Sequence, residues 1–134
     1  MDIDGVVSPF SGTSFDPNCM QNLKNIVTKT NAKIVLSSTW RTSKTTFNLV
    51  NKNLGKFGIE ECISKTPENG GYDRGAEILE WLEENKTRYN IVSWIAIDDM
   101  DLSYNLGSNF IHCSSDTGLT DPLAKKSIQI LLKQ

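Results

Sequence analysis

Short apolar runs alternate with longer amphipathic stretches along the chain, and this alternation restricts the fold more than any other feature of the sequence. Three runs rich in β-branched residues predict buried strands, and a fourth is a weaker candidate: AKIVLSS, IVSWIAI and NFIHC, and then ECISK. Parallel strands need a crossover connection, usually a helix, and these helices cover both faces of the sheet. The alternation therefore predicts an α/β fold with a parallel sheet covered on both sides.

Four helices are predicted between and after these strands. Their start signals are Asp16-Pro17, Ser43, Asp73 and Thr120-Asp121-Pro122. Apolar residues at helical spacing predict the inward faces: Met20, Leu23, Ile26 and Val27 in the first helix; Phe47, Val50, Leu54 and Phe57 in the second; Ile78, Leu79 and Leu82 in the third; Leu123, Ile128 and either Leu131 or Leu132 in the fourth. The stretch TPENGGYD predicts a turn.

Composition and charge exclude several classes of protein. A chain of 134 residues, 38% of them hydrophobic, can bury one core, so residues 1–134 are interpreted as a single domain. The net charge of −2 argues against a large nucleic-acid footprint but allows binding at a nucleic-acid end. Three widely spaced cysteines favour reduced thiols and a cytoplasmic location. Neither an apolar run of roughly 18 residues nor a signal-peptide pattern occurs, so no membrane partner is expected.

Polar side chains stand where the predicted strands end. The carboxyl ends of parallel strands meet at one edge of a sheet, which is where such sheets place their sites. We therefore expect the strand-end residues to converge in one crevice, together with the arginine that begins the third helix: Asp2 and Asp4, Ser37 and Ser38, Asp98 and Asp99, and Arg74.

The segment DIDG begins one residue from the start of the sequence. Asp2 and Asp4 stand at i and i+2 of an extended segment, so their side chains leave the same face, and Gly5 allows a sharp turn. Two adjacent carboxylates are costly unless a cation, a shared proton or a reaction uses them. Turns and helix caps are the ordinary alternatives for such residues. An EF-hand loop is excluded because Val6 and Val7 occupy its next acidic and glycine positions.

In this order, the motifs resemble those of the haloacid dehalogenase (HAD) superfamily of aspartate-nucleophile phosphotransferases. DIDGV is similar to the first motif of that superfamily, VLSS to its hydroxyl motif, Arg74 to its basic residue and IAIDD to its acidic metal motif. LSSTWR, RGAEI and IAIDDMD most resemble the phosphatase domains of RNA-repair proteins and the 3'-phosphatase domain of phage polynucleotide kinase. The resemblance covers nearly the whole chain and implies a three-layer Rossmann-like fold with a central parallel sheet.

The resemblance also implies how the acidic residues work. Asp2 is the expected nucleophile, which forms an aspartyl-phosphate, and Asp4 is the expected general acid and base. The expected cofactor is Mg²⁺, held by Asp2, the backbone carbonyl of Asp4 and Asp99. Asp98 is expected behind Asp99, and the roles of these two residues are interchangeable at this stage.

Phosphate contacts are implied for a second set of residues. Ser37 is preferred to Ser38 because it follows the apolar strand directly, and Arg74 supplies a guanidinium. Backbone N–H groups of the turn at Gly5 complete the expected phosphate site.

The spacing of the motifs leaves no room for a cap domain. An open crevice does not enclose a small metabolite, so the expected substrate is the phosphorylated end of something large, such as RNA or DNA. Trp40 and Arg41 are candidates for stacking on and gripping a nucleotide, with core packing as the alternative for Trp40. Phe10 and Phe15 are candidates for a partial flap.

The first strand appears truncated in the sequence. Central strands of such sheets run to about five apolar residues, whereas only Met1 precedes Asp2. Three interpretations follow: residues before Met1 are missing, which we favour because methionine suits the last position of an apolar strand; the sheet is completed in another way; or the chain is a degraded copy with a damaged site.

The sequence therefore predicts a capless, Mg²⁺-dependent phosphatase of the HAD type that acts on a phosphorylated nucleic-acid end. Two alternatives stay open. One is a small-molecule phosphatase or nucleotidase that uses a partner subunit as its cap, and the other is a non-catalytic HAD-fold binding domain. The oligomeric state is open.

Overall fold

Five α-helices and four short strands alternate along the residues that this computed structural model describes, which are 1–69 and 73–133. The helices are α1 (Pro17–Thr30), α2 (Lys44–Lys56), α3 (Arg74–Asn85), α4 (Ser103–Leu106) and α5 (Asp121–Lys133). The strands are β1 (Val35–Leu36), β2 (Ser64–Lys65), β3 (Ala96–Asp98) and β4 (Phe110–His112). The predicted α/β class is confirmed, and α4 is a helix that the sequence patterns do not predict.

Side-chain caps begin three helices where the sequence predicts them. Asp16, Ser43 and Asp73 each accept a hydrogen bond from N–H groups in the following turn, which the helix itself leaves unpaired. The predicted TPENGGYD turn includes residues 70–72, which lie outside the described residues. In the described part of the chain, no helix combines the length and the apolar character needed to cross a bilayer.

Met1 and Asp2 join two separate parallel strand pairs, β1 with β2 and β3 with β4. The ammonium of Met1 donates to the carbonyl of Val35 over 2.8 Å, and the N–H of Ser37 donates to the carbonyl of Met1 over 3.0 Å. On the other side, the N–H of Asp2 donates to the carbonyl of Ile97 over 3.0 Å. These bonds give the order β2, β1, residues 1–2, β3, β4. The three-layer Rossmann-like arrangement stays a prediction.

The observed strands are shorter than the predicted ones. AKIVLSS spans residues 32–38 but forms a strand only at Val35–Leu36, and IVSWIAI spans 91–97 but forms one only from Ala96. The ladders of both strand pairs begin at the level of Met1 and Asp2, which lie between the two pairs. The physical reason is that a strand needs partners for its main-chain N–H and C=O groups.

Alternate side chains of β3 and β4 enter two hydrophobic clusters. Ala96 and Phe110 pack with residues of α3 and α4, whereas Ile97 and Ile111 belong to the cluster that includes residues of α1 and α5. Successive side chains of a strand leave opposite faces. The two faces of this strand pair are therefore covered by different helices.

The inward faces of the helices agree with the sequence pattern except in α3. Leu79 was expected inside but is 39% exposed, so that prediction is wrong, and the buried aromatic residue of the helix is Trp81. Ile78, Trp81 and Leu82 stand at helical spacing, whereas Leu79 is rotated away from them. In α5 the inner residue is Leu131, because Leu132 is 64% exposed.

A buried ion pair fastens three segments together. The Nη2 atom of Arg41 lies 3.0 Å from the Oε1 atom of Glu77, and both side chains are almost inaccessible. The other N–H groups of the guanidinium donate to four main-chain carbonyl oxygens, those of Ser37, Ser38, Thr66 and Pro67. The pair thus ties the 3-10 turn Thr39–Thr42 to the segment after β2 and to α3.

We expect Glu77→Gln to lower the free energy of unfolding by about 3 kcal/mol, because it leaves the buried Arg41 charge without its counter-charge. Urea denaturation measures the loss. The matched control is Glu84→Gln, which removes the same charge from an exposed position of α3 and should change stability by less than about 0.5 kcal/mol. Equal midpoints for the two variants would contradict the structural role of the pair.

Candidate active site

Three carboxylates meet where the central segments end. One oxygen each from Asp2, Asp98 and Asp99 lies within 4.8 Å of the others, and Asp2 and Asp98 are buried. Asp2 follows the bonds that Met1 makes to β1, while Asp98 and Asp99 stand at the end of β3. Carboxylate oxygens are the ligands that Mg²⁺ prefers. These donors therefore fit a hard divalent cation.

Arg74, the first residue of α3, lies against two of these acids. Its Nη1 atom is 2.9 Å from Asp98 Oδ2 and 3.2 Å from Asp2 Oδ2. Its side chain is only 15% exposed. The sequence prediction that Arg74 reaches the acidic crevice agrees with this position, and its contact with phosphate stays a prediction.

The pKa values in the cluster differ because the surroundings of each group differ. Burial and the neighbouring Asp98 raise the pKa of Asp2 to about 7, although Arg74 opposes the shift. Burial alone would raise the pKa of Asp99 too, but hydrogen bonds, first that from Ser115, lower it overall. For Arg74, the hydrogen bond and charge of Asp98 outweigh burial and raise the pKa. Burial lowers the pKa of the Met1 ammonium. Asp2 thus takes up a proton more readily than Asp99 when no cation is bound.

Gly5 is required by the close approach of Asp99. Its φ is +78°, and a Cβ atom at this position would overlap the Asp99 carboxylate. The N–H of Gly5 donates to the carbonyl of Ser8 over 3.0 Å. This N–H donor is already used inside the turn, and the predicted phosphate contact of the Asp4-Gly5 turn stays a prediction.

Asp4 lies outside the three-acid cluster and is exposed. Its Oδ2 atom accepts a hydrogen bond of 3.0 Å from the indole Nε1 of Trp40. The ring of Trp40 packs edge-on against that of Phe15, with centroids 5.6 Å apart. Trp40 therefore holds Asp4, a contact that the sequence prediction of nucleotide stacking does not include. Phe15 is buried, so of the two predicted flap residues only Phe10 is exposed.

The two serines that follow β1 have different surroundings. The hydroxyl of Ser38 accepts from the N–H of Trp40 and caps the 3-10 turn. The hydroxyl of Ser37 is buried and has no hydrogen-bond partner among the described residues. An unpaired buried hydroxyl is costly unless a water or a ligand pairs with it. A phosphate contact stays a prediction for both residues.

Arg41 does not contact the crevice with its guanidinium. The group faces the interior, where Glu77 and four main-chain carbonyl groups use its N–H donors. All donors of the guanidinium thus have partners inside the protein, and a contact between Arg41 and a nucleotide stays a prediction.

Two polar residues near β4 complete the surroundings of Asp99. The hydroxyl of Ser115 donates to Asp99 Oδ2 over 2.9 Å, and the Nε2 atom of His112 lies 3.0 Å from the Asp99 carbonyl oxygen. Sequence reasoning missed both residues. The strand-end rule that selected Asp98 and Asp99 would have found them if it had been applied to NFIHC as well.

By fold and site, this is an α/β protein with clustered acids and an arginine beside them at one edge of its strands. The family model "HAD domain in Swiss Army Knife RNA repair proteins" matches residues 1–124. The chain belongs to this family, and the predicted recognition is confirmed. The family indicates phosphatase-type chemistry in RNA repair. No curated protein and no solved structure matches the chain.

The raised pKa of Asp2 predicts a pH-dependent stability. The stabilisation from protonated Asp2 is present in full below the unfolded pKa, near 4, and is lost as pH rises through the folded value of about 7. Without metal, the urea midpoint should therefore fall from pH 5 to pH 8. Mg²⁺ should raise the urea midpoint more at pH 8 than at pH 5, because it binds the ionised carboxylates.

Asp2→Asn isolates this contribution, since the amide carries no charge at any pH. We expect the variant to be more stable than the wild type at pH 8 without metal and to gain little from Mg²⁺. Glu84→Gln is the control and should retain both trends. The same pH slope in Asp2→Asn and the wild type would contradict the assignment.

Proposed function

We propose that this protein is a capless, Mg²⁺-dependent phosphatase that works through an aspartyl-phosphate and acts on a phosphorylated nucleic-acid end. The observation that carries the proposal is the meeting of Asp2, Asp98 and Asp99 within 4.8 Å, with Arg74 bonded to two of them. Membership of the RNA-repair HAD family supports the same chemistry. The proposed complete fold is a single three-layer domain.

Asp2 is the proposed nucleophile. A carboxylate oxygen of Asp2 bonds to phosphorus while the bond from phosphorus to the leaving alkoxide breaks. Asp4 gives its proton to that alkoxide and then takes a proton from the water that cleaves the aspartyl-phosphate. Phosphate leaves, and both carboxyl groups return to their starting states.

The remaining residues are proposed to balance the negative charge of the phosphate and the carboxylates. Asp2, Asp99 and the Asp4 carbonyl are the proposed holders of Mg²⁺, with Asp98 behind them, and the cation supplies shielding between the phosphate and the carboxylates. Arg74 is the proposed group that neutralises charge on the transferring oxygens, and the hydroxyl of Ser37, which has no partner among the described residues, is a candidate donor. Asp98 ends β3 and Ser37 directly follows β1, whereas Arg74 begins α3.

The proposed substrate class rests on the elements that separate the site motifs and on three exposed side chains. Residues 9–16 and α1 fill the interval between DIDG and β1, and the described residues between β1 and Arg74 form the 3-10 turn, α2 and β2. None of these provides a cap domain. Phe10, Met100 and Tyr104 present exposed apolar side chains, and Met100 adjoins Asp99. Exposed aromatic faces bind bases by stacking, which favours a nucleic-acid end over a small metabolite.

The first experiment measures phosphate release from a 3'-phosphorylated oligonucleotide, a mononucleotide and an aryl phosphate, with and without Mg²⁺. We expect the oligonucleotide to be preferred and chelation to abolish turnover. Asp2→Asn should reduce kcat at least about 1,000-fold, whereas Glu84→Gln should not change it. A preference for the mononucleotide would favour a nucleotidase, and a folded but inactive wild type would favour a binding domain.

A second experiment separates two roles of Trp40. If Trp40 acts by holding Asp4, Trp40→Phe should lower kcat by about tenfold with little change in KM, and Asp4→Asn should lower it by about 100-fold or more. The double variant should then be no slower than Asp4→Asn alone, because the amide cannot transfer the proton whether or not Trp40 holds it. A further loss in the double variant, with a raised KM, would assign Trp40 to substrate stacking instead.

A further inference from the structure

An apolar groove of about 510 Å³ lies beside Met1. Its two edges are the segments that precede the central strands, residues 32–35 on one side and 91–96 on the other, and Met1 forms one end. These are the same segments that the sequence predicts as strands but that form no ladder before Val35 and Ala96. The groove is therefore a gap between two strand edges.

Apolar side chains of two helices line the groove. Leu23, Ile26 and Val27 come from α1, and Ile78, Trp81 and Leu82 come from α3. The side chains of a strand point alternately to its two faces. A strand in this position would thus meet apolar surface with every residue, which is the environment of a central strand in a parallel sheet.

Main-chain groups of both edges point into the groove. On the side that faces β2, the carbonyls of Ile34 and Leu36 accept hydrogen bonds from the N–H groups of Ile63 and Thr66. Since successive residues of a strand alternate in direction, the N–H and C=O of Val35 face the other side, where the carbonyl meets Met1. On the opposite edge, the carbonyl of Ile97 accepts from Asp2, so its N–H also faces the groove.

We propose that this groove is a strand-binding site, and that its occupant is an extended apolar segment joined to the amino group of Met1. Met1 already makes the bonds of a parallel ladder with β1, so a residue attached to its nitrogen continues along the same ladder. Edges of four and six residues accommodate about five residues of extended chain at roughly 3.3 Å each. The occupant would complete the two-sided ladder that Met1 and Asp2 begin.

The test adds Val-Ile-Val-Ile-Val in front of Met1, behind a common leader. Two matched controls carry Val-Pro-Val-Pro-Val, which is apolar but lacks the ladder N–H groups, or Gly-Ser-Gly-Ser-Gly. We expect the first extension alone to raise Tm by at least about 5 °C and to slow hydrogen exchange at the amides of Val35 and Ile97. Binding of an apolar dye to the groove should fall in the same variant.

A double-variant cycle shows whether the extension enters the groove. Val27→Arg places a charge on the groove wall contributed by α1. The gain in Tm from the apolar extension should be lost in this background, whereas additive effects would overturn the proposal. Equal Tm for the three extensions would also overturn it. The chain without an extension could also form a dimer. If the apolar extension dissociates that dimer, the occupant of the groove is a second copy of the chain instead.

Discussion

Three main-chain hydrogen bonds made by Met1 and Asp2 connect the two halves of the sheet. Without them, β1 with β2 and β3 with β4 are separate pairs, each too small to be stable by itself. The same bonds place the Asp2 carboxylate beside Asp98 and Asp99, because a residue that follows a ladder contact has little freedom in direction. The architecture of the sheet and the position of the proposed nucleophile thus depend on one two-residue segment.

Burial of neighbouring carboxylates destabilises the acidic cluster, and the residues around it offset this cost. Burial and then the neighbouring Asp98 charge raise the pKa of Asp2, and the Arg74 guanidinium offsets part of that shift. Asp99 is stabilised separately by the hydroxyl of Ser115. The buried Arg41–Glu77 pair positions α3, on which Arg74 is the first residue. A buried pair outside the acidic cluster therefore helps to position the guanidinium that contacts Asp2 and Asp98.

Much of this structure is predictable from the sequence, because the strongest signals are local. Capping residues and helical periodicity identify four helices, and the strand-end rule brings Asp2, Asp98, Asp99 and Arg74 together. What the sequence does not predict depends on long-range partners. Strand lengths differ since pairing requires a neighbouring chain, and the guanidinium of Arg41 has partners in distant segments that no local pattern indicates. Periodicity alone also fails for Leu79, because only the packed helix shows which face is buried.

The site divides its carboxylates by exposure, and this division matches the two tasks of the proposed reaction. Asp2 is buried among fixed charges, so it is oriented and shielded from water, as a nucleophile needs to be. Asp4 is exposed and held by a single hydrogen bond from Trp40. A group that exchanges protons first with a leaving group and then with water needs access to solvent and some freedom to reorient. Two identical carboxyl groups, two residues apart, are thus given different chemistry by their surroundings.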